Sequence, residues 1–187
     1  MSTPTSEPAK ANPRVIALTG LKQTGKDTVC EIIKKLLNGH ATRFAFADAL
    51  KQELAAACGV TVDAINKDKR RFRLGLQFWG SEFRRTQDKD YWVKQVDAAL
   101  DTCVEPVAII TDCRFENEAK MVLDRGGVII RVTRPIATGL PLDTHESERP
   151  LPKEMISHTI SNEGDLEFLG FRTLVVINTL KQANFFI

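Results

Sequence analysis

The chain has 187 residues, a length that predicts a single domain. Its composition, with 43% hydrophobic and 27% charged residues, excludes a disordered or collagen-like chain, and no apolar run approaches the roughly 18 residues of a membrane span. The 26 Lys and Arg residues nearly balance the 24 Asp and Glu residues, so the net charge of +2 argues against a general nucleic-acid coat protein.

The four cysteines form no CxxC pair, and no histidine lies close enough to complete a zinc site. All four lie in apolar contexts, which predicts buried, reduced thiols and a cytoplasmic protein. From the lack of a long apolar run and the near-neutral net charge, we expect no membrane association and no stable binding of nucleic acid.

In chain order, residues 1–13 contain three prolines and no apolar segment, which predicts a flexible tail. An apolar run predicts the first strand, and a helix that ends near Gly39 follows it. Helices alternate with the later strands, and the last helix ends near residue 180. The strands are predicted at 15–19, 43–47, 106–111, 128–132 and 158–160. This alternation predicts an α/β fold with three layers, α/β/α, around a mostly parallel five-stranded sheet, in one domain over residues 14–187.

Two segments depart from this alternation. Residues 60–90 are strongly basic and helical in pieces, which predicts a helical insertion between the second and third strands. Residues 134–152 contain four prolines, which predicts a lid-like loop that could carry Arg134 over a bound phosphate.

The loop after the first strand fits the phosphate-binding pattern G-x-x-x-x-G-K. Glycines let the backbone wrap a phosphate chain, the helix N-terminus attracts anions, and the lysine reaches the β- and γ-phosphates. A hydroxyl residue normally follows the lysine and binds Mg²⁺, whereas here Asp27 precedes Thr28, and either could hold the metal. The bland alternative is a glycine turn with a helix-capping Asp. The candidate residues for ATP are Gly20, Lys22, Thr24, Gly25, Lys26, Asp27 and Thr28.

Asp112 follows the third predicted strand, where P-loop proteins place a carboxylate near Mg²⁺. It could instead cap the next helix. Arg114 could clamp a phosphoryl group, or it could pair with Glu118 on the same helical face. Because the carboxyl ends of parallel strands meet at one edge of a sheet, we expect Asp112, Asp48 and the glycine loop to converge on one cleft. The candidate catalytic residues are Lys26, Arg114, Asp112 and Arg134.

The basic insertion offers a second group of candidates. Residues 67–73 hold five cations that point all round a helix, so a solvated basic surface explains at least half of them, and the aromatic residues are too few for a nucleic-acid stacking platform. Gln77 with Arg84 and Arg85 could bind a base edge and a phosphate. The alternative is an amphipathic helix that buries the aromatic residues between them.

Several strings of residues resemble the phage-type deoxynucleoside monophosphate kinases. They are the G-x-x-x-x-G-K-D-T loop at 20–28, FADALK at 46–51, LQFWGSEFR at 76–84, YWV at 91–93, TDCRFENEA at 111–119 and HESE at 145–148. The strings occur in the expected order and span nearly the whole chain, from about residue 14 to 180. The resemblance implies a P-loop nucleoside-monophosphate-kinase fold.

The resemblance further implies ATP as phosphoryl donor, Mg²⁺ as cofactor and a deoxynucleoside 5′-monophosphate as acceptor. Lys26 and Thr28 would hold the ATP phosphates and the metal, together with Asp27 or Asp112. The acceptor pocket would be lined by Asp48, Lys51, Arg70 or Arg71, Gln77, Gly80 and Arg84, with Asn117 and Glu118 at the junction of the two nucleotides.

The predicted reaction is in-line transfer of the γ-phosphoryl group to the acceptor phosphate, which gives ADP and a deoxynucleoside diphosphate. Two alternatives remain: another small-molecule P-loop kinase similar to dephospho-coenzyme A kinase, and a DNA-associated P-loop ATPase. The expected partners are small nucleotides, in a host cytoplasm if the protein is phage-encoded, and the exposed helix faces permit a homodimer.

Overall fold

A central parallel sheet organises the protein in the computed structural model, which describes residues 12–135 and 149–186. The strands are β1 (Arg14–Thr19), β2 (Ala41–Phe44), β3 (Val107–Ile110), β4 (Val128–Thr133) and β5 (His158–Ser161). Their order across the sheet is β2-β3-β1-β4-β5, and every neighbouring pair is parallel. The predicted five-stranded α/β sheet is confirmed.

Strand β1 occupies the centre of the sheet. Val15 pairs in register with Ala108 of β3, and Ala17 pairs with Ile129 of β4. Residues 15–19 of this strand are all buried, as expected for a parallel strand that is covered on both faces. The loop that follows β1 therefore leaves the sheet at its middle.

Eight α-helices connect or cover the strands in the described residues: α1 (Lys26–Leu36), α2 (Phe46–Cys58), α3 (Val62–Lys67), α4 (Lys69–Gln77), α5 (Arg84–Gln87), α6 (Tyr91–Asp101), α7 (Glu116–Asp124) and α8 (Leu166–Gln182). Side chains of α1 and α8, such as Ile33 and Ile177, bury one face of the sheet. Side chains of α2, α6 and α7, such as Trp92 and Val122, bury the other. The three predicted layers are present.

The basic insertion is built from α3, α4, α5 and a π-helical segment, Phe78–Phe83, between α4 and α5. Helix α4 has no buried residue, and its cations are exposed to solvent. Of the predicted lid-like loop, residues 136–148 lie outside the described residues, as do residues 1–11 of the predicted tail. The assignment of both segments therefore stays a prediction.

The cysteine expectation holds for three of the four residues. Cys30, Cys103 and Cys113 are buried, whereas Cys58 is exposed, because it ends α2 where the chain turns at Gly59. Within the described part of the chain, no helix is both long enough and apolar enough to cross a membrane.

Candidate functional site

The glycine loop lies where β1 gives way to α1, and two close approaches fix its path. Gly20 has a φ of +142°, and a Cβ there would lie 2.2 Å from the carbonyl oxygen of Val132 in β4. Gly25 has a φ of +100° and precedes α1, and its Cβ would lie 2.7 Å from Nδ2 of Asn162. Side chains are excluded at both positions, which explains the spacing of the two glycines.

Hydrogen bonds to carbonyl oxygens hold this loop in shape. Nζ of Lys26 donates to the carbonyl oxygens of Gly20 and Leu21, at 2.8 and 2.7 Å. The hydroxyl of Thr24 also donates to the Leu21 oxygen, at 3.0 Å, and Nδ2 of Asn162 donates to the Thr24 oxygen, at 2.9 Å. The backbone is thus arranged around the N-terminus of α1, which favours a bound anion.

The remaining loop residues are open to a ligand. Lys22, Asp27 and Thr28 are exposed, and the last two lie in the first turn of α1. Mg²⁺ is commonly held by one or two protein oxygens together with substrate phosphates, so a hydroxyl and a carboxylate beside a phosphate loop fit this ion. Among the described residues, no group of three or more His, Cys, Asp or Glu side chains is placed to hold a metal ion.

Asp112 lies just beyond β3, and its carboxylate binds the start of α2. Its two oxygens accept hydrogen bonds from the backbone N–H groups of Phe46 and Ala47, at 2.8 and 2.9 Å. Burial raises the pKa of Asp112, and these hydrogen bonds and the charge of Arg114 offset the effect in part. The alternative that Asp112 caps the next helix is wrong: it caps α2, which comes earlier in the chain. Each carboxylate oxygen keeps a second lone pair that could face Mg²⁺.

Three adjoining cavities open along this edge of the sheet. The P-loop cavity, of about 210 Å³, is lined by the glycine loop at Gly20, Leu21 and Thr24 and by Arg114, Arg131, Arg134 and Arg149. The inner cavity, of about 180 Å³, lies between α2, the π-helical segment and α7, and includes Phe46, Gln77, Gly80, Arg85, Trp92, Asp112, Phe115 and Glu118. The outer cavity, of about 510 Å³, includes Ser81, Arg85, Lys89, Asn117 and Arg149. Arg114 lines all three, so it lies where they meet.

A buried ion pair forms part of the wall between the inner and outer cavities. Arg85 donates from a terminal guanidinium nitrogen to Oε1 of Glu118, at 2.5 Å, and its guanidinium carbon lies 3.9 Å from the centre of the Phe115 ring. Glu118 is only 1% exposed. Burial raises the pKa of Glu118 to about 7, although the charge of Arg85 opposes this rise.

Arg84 lies outside these cavities. Its Nε donates to Glu53 at 2.8 Å, and Glu53 also accepts hydrogen bonds from the indole of Trp79 and the hydroxyl of Tyr91. The guanidinium stacks over three aromatic rings, among them that of Tyr91 at 4.7 Å. The structure gives no support to Arg84 as an acceptor-binding residue and places Arg85 in the cavity wall instead.

The other predicted acceptor residues divide into two groups. Gln77 and Gly80 line the inner cavity, and Asn117 lines the outer cavity, where its amide nitrogen donates to Lys89 and Asp90. By contrast, Asp48, Lys51, Arg70 and Arg71 line none of the three cavities. Asp48 pairs with Arg43 and Lys51, and the two arginines are exposed on α4.

Arg131, Arg149 and Asn162 are not among the candidate site residues named from the sequence, yet they lie at this edge of the sheet. Arg149 follows the undescribed segment, and Arg131 donates from its guanidinium to the carbonyl oxygen of Leu151, at 2.5 Å, which ties β4 to the chain beyond that segment. Asn162 directly follows β5, so its place at the carboxyl edge of the sheet is the one signal that would have drawn attention to it.

The sequence model of the phosphomevalonate kinase family matches residues 18–126, which include the glycine loop, the basic insertion and all of α7. This span is more than half of the chain. The chain belongs to the phosphomevalonate kinase family. It is therefore a member of the P-loop kinase superfamily.

Among curated proteins, a phosphomevalonate kinase from Drosophila melanogaster is 23% identical over 111 residues. This match covers 57% of the chain and 58% of the relative, so it spans little more than half of the length of that relative.

Solved structures share the fold. TT1252 from Thermus thermophilus superimposes with a TM-score of 0.53 at 18% identity, over 90% of this chain and 98% of that one. A gluconokinase from Sinorhizobium meliloti gives 0.52 at 14% identity, over 94% and 97%. Shikimate kinase from Aquifex aeolicus gives 0.50 at 18% identity, over 88% and 96%.

Proposed function

We propose that this protein is an ATP-dependent kinase whose acceptor is the phosphate group of a small phosphomonoester. The observation that carries this proposal is the position of Arg114, which lines both the P-loop cavity and the inner cavity. A donor nucleotide on the glycine loop and an acceptor in the inner cavity would meet at this guanidinium, which can bridge two phosphate groups.

The donor side of the proposal rests on the glycine loop. Lys26 would exchange its bonds to the Gly20 and Leu21 oxygens for the β- and γ-phosphates of ATP. Thr28 or Asp27, with Asp112 from the adjoining inner cavity, would hold Mg²⁺, which neutralises phosphate charge when it is bound. Arg131, Arg134 and Arg149 surround the same cavity and would balance the remaining charge of the donor.

The acceptor side of the proposal rests on charge. Transfer between two polyanions requires positioning and neutralisation more than an acid or a base, and a phosphomonoester carries about two negative charges near neutral pH. The inner and outer cavities present Arg85, Arg114, Lys89 and Arg149 to such a group. An acceptor without a charged group would bring no negative charge for these cations to neutralise. The family membership makes phosphomevalonate the first acceptor to test.

A deoxynucleoside monophosphate is a second candidate, and the lining of the inner cavity favours it. Phe46, Trp92 and Phe115 provide flat apolar surfaces, and the amide of Gln77 could pair with a base edge. The motif resemblance points to the same acceptor. A nucleobase would stack on the rings and pair with the amide, whereas phosphomevalonate has no ring to stack and would place its carboxylate and hydroxyl groups against the polar side chains of the lining.

The test is ADP formation from ATP and Mg²⁺ with a panel of acceptors. The panel pairs phosphomevalonate with mevalonate, and each nucleoside or deoxynucleoside monophosphate with its nucleoside. Dephospho-coenzyme A, DNA and a sample without acceptor complete the panel. We expect ADP only with a phosphomonoester, and the identity of the active compound decides between the two candidates. ADP formed with hydroxyl acceptors alone, or without acceptor and stimulated by DNA, would overturn the proposal.

A further inference from the structure

Glu118 is buried behind the two arginines that the inner and outer cavities share. One oxygen, Oε1, accepts from the guanidinium of Arg85, and the other, Oε2, accepts from the backbone N–H groups of Arg114 and Phe115, at 2.7 and 3.1 Å. A single carboxylate therefore accepts hydrogen bonds both from the side chain of Arg85 and from the backbone of Arg114.

The ring of Phe115 completes this arrangement. The Arg85 guanidinium lies over the ring at 3.9 Å, and only 14% of the Arg85 side chain is exposed. A long side chain with four rotatable bonds would otherwise sample many orientations, and fixing it only on binding lowers affinity. The ion pair on one side and the ring on the other fix its direction before any ligand arrives.

We propose that Glu118 is a positioning residue that does not itself touch the substrate. Its carboxylate directs the Arg85 guanidinium towards the acceptor phosphate and fixes the backbone from which the Arg114 side chain extends. This inference rests on the proposed function, because the phosphate it serves is the acceptor in that proposal. It also changes the role implied by the family resemblance, in which Glu118 would contact the nucleotides directly.

A purely structural role for Glu118 has to be separated from this one. Glu118 occupies the third position of α7 and reaches back to the backbone of Phe115 in a capping-box arrangement, which alone would stabilise the helix. Glutamine serves in a capping box as well as glutamate does. Its amide has one oxygen, however, so a glutamine that caps α7 turns its NH₂ group towards Arg85 and cannot accept from it.

The variant Glu118→Gln therefore keeps the cap and removes the ion pair. Asp124→Asn is the matched control, because it removes one negative charge from the exposed end of the same helix, where Asp124 pairs with Lys120. In assays near pH 8, where Glu118 with its pKa of about 7 is ionised, we expect Glu118→Gln to raise the acceptor KM about tenfold or more. The ATP KM should change less than about twofold, and Asp124→Asn should leave both values unchanged.

A double-mutant cycle with Arg85→Met tests whether Glu118 acts through Arg85. In the Arg85→Met background, Glu118→Gln should change the acceptor KM little, because the side chain it positions is gone. Equal effects in both backgrounds, or an unchanged acceptor KM with a lower melting temperature, would overturn the inference and leave a capping role.

A crystal structure of Glu118→Gln without ligand supplies a readout that needs no turnover. We expect the Arg85 guanidinium to leave the Phe115 ring, and a guanidinium that stays in place would overturn the inference. If the wild-type protein phosphorylates none of the acceptors, the proposed function fails, and this structure still decides whether Glu118 directs Arg85.

Discussion

Nδ2 of Asn162 donates a hydrogen bond to the carbonyl oxygen of Thr24, 2.9 Å away, although the two residues are 138 positions apart. The contact joins the end of β5 to the glycine loop. It also lies against Gly25, where a Cβ would collide with the amide. The shape of the proposed ATP site thus depends on a strand at the far edge of the sheet.

The first prediction concerns this contact. Asn162→Ala should raise the ATP KM several-fold, because the loop loses the bond that fixes the Thr24 carbonyl group, worth about 1 kcal/mol. The acceptor KM should stay as it is. Steady-state kinetics with either substrate varied checks this, with Asn66→Ala on the exposed surface of α3 as control. A rise in the acceptor KM alone would contradict the prediction.

Lys26 is the subject of the second prediction. Lys26→Ala should reduce turnover by about a hundredfold or more, because a cation in the glycine loop is lost where phosphate charge develops. Lys35→Ala, which removes an exposed lysine from the same helix, should leave turnover unchanged. The comparison is made by ADP production at saturating substrate. Near-normal turnover of a folded Lys26→Ala protein would refute the donor site.

The third prediction compares two glycines with positive φ: at Gly39 an added Cβ meets only backbone strain, whereas at Gly20 it also meets a neighbouring atom. Gly39→Ala should cost about 1 kcal/mol of unfolding free energy, since φ is +83° and a Cβ there meets nothing within 4 Å. Gly20→Ala should cost about 3 kcal/mol or more, because its Cβ would also collide with the Val132 carbonyl oxygen. Urea unfolding measures both losses of unfolding free energy. Equal losses would show that the structure removes the collision at Gly20 without a further loss of stability.

The fourth prediction contrasts two adjacent arginines. Arg84→Ala should lower the unfolding free energy by about 1–3 kcal/mol, because it removes the ion pair with Glu53 and the stacking on aromatic rings. It should change the acceptor KM less than Arg85→Met does, because Arg85 alone of the two lines the cavities. Unfolding curves and acceptor KM values of both variants provide the test, and the opposite ranking in KM would refute it.

Stability should depend on pH through Glu118. Its pKa rises from 4.5 in the unfolded chain to about 7 in the folded protein, so between these two pH values the folded protein holds a proton that the unfolded chain has released. The contribution of Glu118 to the free energy of unfolding is therefore fully present below about pH 4.5 and is lost as the pH rises towards 7. Burial raises the pKa of Asp112 as well, so Asp112 acts with the same sign.

The measurement compares wild-type protein with Glu118→Gln in urea unfolding across this pH range. The unfolding free energy of the wild type should fall relative to that of the variant between about pH 4.5 and 7. Parallel pH profiles would show that Glu118 has an ordinary pKa in the folded protein.

Local patterns predicted most of the sheet, because apolar runs such as 15–19 are long enough to identify a buried strand. The boundary between β2 and α2 was displaced. The predicted strand ran from residue 43 to residue 47, whereas β2 ends at Phe44 and α2 begins at Phe46. Asp112 binds the first amides of α2, and no local pattern reveals a partner so far along the chain.

The acceptor side was harder to predict for a different reason. Helical spacing assigns faces at about 100° per residue, but the π-helical segment at 78–83 holds an extra residue per turn relative to an α-helix. Residues that follow this segment therefore lie on a different face of the helix from the one that α-helical spacing predicts. Gln77 and Gly80 line the inner cavity, whereas of the two arginines that the sequence offered together, Arg84 and Arg85, only Arg85 lines it.

The central position of β1 affects how the chain can fold during synthesis. Its neighbours in the sheet are β3 and β4, which begin at residues 107 and 128, while β2, the next strand to be made, pairs with β3 instead. A nascent chain that ends before residue 107 therefore has no partner for its first strand, and this apolar segment stays unpaired. Sheets built from such distant pairings form slowly and expose strand edges meanwhile. The strand that presents the phosphate loop is thus made first and paired late, which makes truncated or stalled chains prone to aggregate.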